Sequence, residues 1–142
     1  MEFKTWYMDE AVFALPKVIE AATAELEDIE FDTLVGTGFS GGIVIPALAL
    51  TLGKRFVLIR KDTDDSHHRG RIVGELGKQW IFVDDFISSG KTRRRVMDKV
   101  AEAVVESGQQ TTMVGQYMYQ ARSDEQPGFT PYSARWAERN YW

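Results

Sequence analysis

One stretch, residues 80–92, limits the folds open to this chain more than any other. Trp80, Ile81, Phe82 and Val83 are apolar without a break and stop at two adjacent carboxylates, Asp84 and Asp85. After Phe86 and Ile87, the run Ser88, Ser89, Gly90, Lys91 and Thr92 opens a helical pattern. A continuously apolar strand is one buried on both faces, the signature of a central strand in a parallel sheet. The stretch therefore reads as buried strand, acidic loop at its carboxyl end, and a hydroxyl- and glycine-rich turn into a helix. In open α/β sheets ligands sit at that place. A helix N-terminus offers N–H groups and a positive dipole end to a phosphate. Carboxylates just upstream suit vicinal hydroxyls or a hard cation such as Mg²⁺. Together they suit a sugar phosphate.

The flanking pattern agrees. Val12, Leu15, Ile19, Ala22 and Leu26 recur at a helical period, with Pro16 placed to begin a helix. A short strand is expected over 31–35, then a glycine-rich turn over 36–42. A helix over 43–52 should close at Gly53, with Pro46 near its first turn. A second strand covers 56–59 and ends in Arg60 and Lys61. Residues 62–71 are polar and charged without periodicity, which predicts a mobile loop. The central strand covers 79–83. A helix over 92–107, with Val96, Val100, Ala103 and Val104 on one face, ends at Gly108, and a last strand starts at Thr111. Strands alternating with helices imply a doubly wound, mainly parallel sheet with helices on both faces.

Composition narrows the rest. At 142 residues the chain reads as one domain, able to bury roughly two-thirds of its unfolded surface. We take 1–142 as that domain, with a core over about 31–120, a tail over 121–142 available as hood or dimer contact, and a small hood drawn from the termini. The net charge of −4 speaks against a nucleic-acid surface. No apolar run reaches membrane-spanning length, and the first residues lack the organisation of a secretory signal. There is no cysteine, which excludes disulfides and thiolate metal sites and makes a cytoplasmic location the simplest reading.

Two motifs invite other readings. Gly36, Gly38 and Gly41 satisfy the dinucleotide fingerprint between a strand and a helix, and Asp62 stands near where a ribose-binding acid belongs. The same glycines would serve any pyrophosphate binder, or simply a tight turn. Gly90, Lys91 and Thr92 suggest a P-loop, but the glycine required earlier in that motif is Asp85 here, whose charge would repel the phosphates. His67 and His68 lack a further histidine to complete a metal site. They fit better as part of a charged loop, with Arg69 and Arg71, closing over an anion.

The stretch from Val83 to Thr92 resembles the phosphoribosyl-pyrophosphate (PRPP) motif of type I phosphoribosyltransferases: hydrophobic strand, two acids, two residues, then a Ser/Thr-rich Gly-x-Thr turn. In the right order, residues 36–42 look like that family's pyrophosphate loop and 60–71 like its flexible catalytic loop. The resemblance covers residues 32 to about 108. It implies the type I phosphoribosyltransferase fold and an Mg²⁺-dependent transfer of the 5-phosphoribosyl group from PRPP to a nucleobase, with release of pyrophosphate. Asp84 and Asp85 would contact the ribose hydroxyls and, through substrate or water, the metal. The PRPP cradle would run through Phe86, Ile87, Ser88, Ser89, Gly90, Lys91 and Thr92. Thr37, Gly38, Phe39, Ser40 and Gly41 would meet the pyrophosphate, and Arg60, Lys61 and Arg69 would supply catalytic charge together with the acid pair. Ser40 stands where many relatives carry a basic residue.

The loop layout looks most like orotate phosphoribosyltransferases, although 62–71 lack the lysine usual there. The run from Ser88 to Thr92 looks closer to hypoxanthine-guanine enzymes and pyrimidine-operon regulators. Purine and pyrimidine bases both stay open. The expected partners are PRPP, a nucleobase and a second copy of the chain in a homodimer, with neither nucleic acid nor membrane. Two alternatives stand beside the enzyme: a non-catalytic PRPP or nucleotide sensor of the same fold, and a small dinucleotide-binding protein.

Overall fold

The computed structural model describes residues 14–60, 72–85, 90–119 and 128–138. Helix α1 spans Leu15–Leu26, with Pro16 in its first turn, where a missing N–H breaks no hydrogen bond. Strand β1 (Thr33–Thr37) runs directly into helix α2 (Gly38–Leu52). Then come β2 (Arg55–Ile59), β3 (Ile72–Gly74), β4 (Gln79–Asp84), helix α3 (Lys91–Ser107), β5 (Thr112–Met118), β6 (Gly128–Pro131) and a 3-10 turn at Ala134–Ala137. Gly53 and Gly108 close α2 and α3 as expected, with φ of 68° and 72°.

The strands form one sheet in the order β3-β2-β1-β4-β5-β6. The inner strands β2, β1, β4 and β5 are mutually parallel, while β3 and β6 run antiparallel at the edges. From β1 the chain winds outward to β2, and from β4 it winds the other way to β5. The adjacent carboxyl ends of β1 and β4 are therefore the topological switch point. A dinucleotide fold of the same strand order would carry a parallel third strand; β3 is antiparallel.

Side-chain alternation sorts the core into two layers. Leu34, Ile81 and Val83 face α1 and α2, packing with Ala22, Leu26, Ile45 and Leu48. Val35, Val57, Trp80 and Phe82 face the other way, against Val96 and Val100 of α3. On β5 the alternation changes phase. Met113 pairs with Trp80 but Gly115 pairs with Ile81, so Val114 is an extra residue in the ladder. That shift turns Gln116 rather than Tyr117 toward the α3 layer.

Two boundaries differ from the sequence-based expectation. Strand β1 lies further along the chain than 31–35 and runs, fully buried, to Thr37. Helix α2 begins at Gly38 rather than near Ile43, which leaves Pro46 inside the helix and not in its first turn. Close packing accounts for the early start: Ile45 crosses β1 over Gly36, where a β-carbon would meet Ile45 Cδ1 at 2.2 Å. Pro46 removes one hydrogen bond, to the carbonyl of Gly42. Gly42 is exposed, which lets water take the place of the missing donor. No described helix is long and apolar enough to cross a membrane.

Candidate functional site

Parallel pairing brings the carboxyl ends of β1, β2 and β4 to one edge of the sheet, and with them Thr37, Arg60 and Asp84. Asp84 is the last residue of β4, and the Asp85 backbone N–H donates to its Oδ1 at 2.9 Å. Burial, and then the charge of Asp85, pushes the Asp84 carboxyl up from 3.8 to about 7, while Arg95 pulls it the other way. The fold thus holds two carboxylates together at an energetic cost, which a bound cation or hydroxyl donors would relieve. Among the described residues no group of three or more His, Asp and Glu could hold a metal. An acid pair that leaves the other ligands to substrate and water suits Mg²⁺, which keeps much of its hydration.

Gly90 caps α3 with φ of 84°, a left-handed conformation that side chains resist. Exposed Lys91 and Thr92 open the first turn. A helix start of this kind offers N–H groups and a positive dipole end that suit a phosphate. Phe86, Ile87, Ser88 and Ser89 lie outside the described residues. Across the switch point, Gly38, Phe39, Ser40 and Gly41 form the first turn of α2, and Thr37 is its N-cap. Two helix N-termini and an acid pair therefore share one edge. Arg60 stands exposed at the end of β2; Lys61 and Arg69, with the expected mobile loop, lie outside the described residues.

Three further groups belong to this edge and were not singled out from sequence. Arg93, Arg94 and Arg95 sit at the positive end of α3, where a cation loses about 0.3–1 kcal/mol to the dipole. Each has a specific tie. Buried Arg93 donates from Nη1 to Gln116 Oε1 at 2.7 Å, and its guanidinium lies 4.4 Å from the Trp136 ring centre. Arg94 holds the Trp136 carbonyl through Nε and Nη2, at 3.1 and 2.8 Å, and the Glu138 carbonyl through Nη2. Arg95 Nη2 donates to Thr37 Oγ1 at 3.2 Å. That hydroxyl in turn donates to the Ile59 carbonyl at 2.5 Å. A cavity of about 430 Å³ opens beside this turn, lined in part by Gly90, Lys91, Arg95, Lys99, Arg135 and Trp136. The legible signal was a basic run at the wrong end of a helix dipole.

A doubly wound α/β sheet with an acid pair and two helix N-termini at its switch point is an arrangement suited to a phosphorylated sugar. Sequence relatives point the same way. Over 91 residues the chain is 30% identical to the orotate phosphoribosyltransferase of Archaeoglobus fulgidus, covering 63% of this chain and 51% of that protein. Solved structures agree on the fold. Adenine phosphoribosyltransferase from Rhodothermus marinus matches with a TM-score of 0.56 at 23% identity, over 82% of this chain and 72% of that one. Leishmania donovani UMP synthase matches with a TM-score of 0.57 at 18% identity, over 72% of this chain and 21% of that one. No protein-family model matches. The chain spans about half the length of the curated relatives it matches. The chain is similar in sequence to orotate phosphoribosyltransferases and shares the fold of the solved phosphoribosyltransferases.

Proposed function

We propose that this chain is an Mg²⁺-dependent nucleobase phosphoribosyltransferase, converting PRPP and a base to a nucleoside monophosphate and pyrophosphate. The carrying observation is the Asp84–Asp85 pair at the end of β4, beside the N-terminus of α3 and across the switch point from that of α2. One diol-binding element between two phosphate-binding elements matches the layout of PRPP. In this reading Asp84 and Asp85 accept from the ribose 2- and 3-hydroxyls. The α3 turn at Gly90, Lys91 and Thr92, with Ser88 and Ser89 before it, holds the 5-phosphate. Backbone N–H groups of 38–41 face the pyrophosphate.

A base nitrogen attacks C1 as the C1–oxygen bond breaks, its electron pair leaves on pyrophosphate, and the nitrogen gives up its proton. The sugar passes through an oxocarbenium-like state. The chain contributes positioning of both reactants and cationic side chains, Arg60, Lys61 and Arg69, against the departing charge. Mg²⁺, held at Asp84 and Asp85 through substrate or water, would supply further neutralisation of the pyrophosphate. A homodimer in the cytoplasm completes the proposal, with the tail over 121–142 as hood or dimer contact.

The test is mass-spectrometric detection of nucleotide after incubation with PRPP, Mg²⁺ and a panel of bases. Orotate heads the panel, because the curated relatives are orotate phosphoribosyltransferases. One base should convert, and Asp84→Asn with Asp85→Asn should abolish conversion. PRPP binding without product from any base would move the assignment to the sensor.

A further inference from the structure

We infer that Arg95 is a positioning residue that holds the Thr37 hydroxyl away from the N-terminus of α2, keeping that helix's first-turn N–H groups available to an anion. The inference rests on the proposed pyrophosphate role of α2 and deepens it.

Thr37 occupies the N-cap of α2 with extended backbone, φ of −152°, the position from which a threonine ordinarily accepts from its own helix. It makes no such bond. Its hydroxyl donates to the Ile59 carbonyl and accepts from Arg95 Nη2 instead. Sheet alternation explains why these groups meet. Thr37 follows Val35 by two residues and Asp84 follows Phe82 by two, so both point to the α3 side. Arg95, in the opening turns of α3, stands over them. Thr37 is 6% exposed, so its hydroxyl has protein partners or none.

A side-chain cap takes up one of the first-turn N–H groups an anion would use. By holding the hydroxyl in the orientation that reaches the Ile59 carbonyl, Arg95 keeps Thr37 from turning to cap α2. The bond also ties the α3 helix, with its 5-phosphate turn, to the start of the pyrophosphate turn. Through Ile59 it reaches the strand end that leads to Arg60. A guanidinium suits the task because one arm can bind Thr37 while the charge stays near Asp84.

The experiment is a double-mutant cycle read by calorimetry with Mg²⁺–pyrophosphate, PRPP and ribose 5-phosphate as separate ligands. Arg95→Ala should weaken pyrophosphate and PRPP by roughly tenfold, the scale of one N-cap contact, and leave ribose 5-phosphate within about twofold. Thr37→Val keeps the buried shape and has no hydroxyl to cap with. In that background Arg95→Ala should change pyrophosphate affinity little. Arg95→Lys should recover part of the loss, and melting temperatures confirm folding. Equal losses in both Thr37 backgrounds would overturn the inference, because Arg95 would then act on the ligand without Thr37. Equal weakening of ribose 5-phosphate would also overturn it. If the wild-type protein binds neither PRPP nor pyrophosphate, the functional reading fails first and takes the inference with it.

Discussion

Asp84→Asn should make the protein more stable and less able to bind PRPP, with the stability gain growing from about pH 4 and complete above about 7. The Asp84 carboxyl is pushed from 3.8 to about 7, chiefly by burial and then by Asp85. Between those values the folded chain binds a proton that the unfolded chain does not, so stability falls as pH rises. Below the unfolded value both states are protonated and the cost vanishes. Above about 7 it is fully present. At about 1.4 kcal/mol per unit, the gap corresponds to roughly 4 kcal/mol. An asparagine keeps the Oδ1 that accepts from the Asp85 N–H but brings an amide NH₂ whose two donors a mostly buried site does not fully pair. A net gain of about 2 kcal/mol at pH 8 is therefore expected, a rise of roughly 5 °C in Tm for a chain of this size. Urea unfolding of both proteins from pH 4 to 8 measures it. The two midpoints should converge near pH 4 and separate steadily above. A variant less stable than wild type at pH 8, or a difference independent of pH, would refute the argument that the site stores repulsion for a ligand to relieve.

Other substitutions probe the frame. Gly36→Ala should cost about 1–3 kcal/mol, since its β-carbon would meet Ile45 Cδ1 at 2.2 Å and the Val83 carbonyl at 2.8 Å; the urea midpoint reports it. Arg93→Met should destabilise by about 1–3 kcal/mol, because it takes the donor from buried Gln116 Oε1. Adding Gln116→Leu should recover part of that loss. Phe82→Ala, at the centre of the α3 layer, should cost about 3–5 kcal/mol, enough to leave a large unfolded fraction at 37 °C by circular dichroism. Gly90→Ala forces a side chain into φ of 84° and toward Arg93 Nη2 at 3.2 Å. It should lower stability by about 1 kcal/mol and weaken ribose 5-phosphate more than pyrophosphate in calorimetry.

The placement of much of the candidate site was legible because its signals are local. An apolar run followed at once by two acids and a glycine turn describes a central strand entering a helix. Strand and helix in that order already put Asp84 at a carboxyl edge. The helix caps at Gly53 and Gly108 and the start at Pro16 are likewise properties of single residues. Less legible was the start of α2, because glycines that suggest a turn also permit the close crossing of Ile45 over Gly36. The tail over 121–142 shows the same limit. Trp136 was visible as an aromatic, but its place over Arg93 depends on a segment far along the chain.

The sequence by itself determined the order of elements, the parallel sheet, the acid pair and the phosphate-suited turn, since each follows from residue type and short-range spacing. Tertiary structure decided which of these meet. Register and winding direction set β1 beside β4, and one extra residue at Val114 turned Gln116 toward Arg93. The parity of two separate strands brought Thr37 and Asp84 under Arg95. Those are contacts between residues distant in the chain, set by how strands pair and how layers pack, and no local pattern records them.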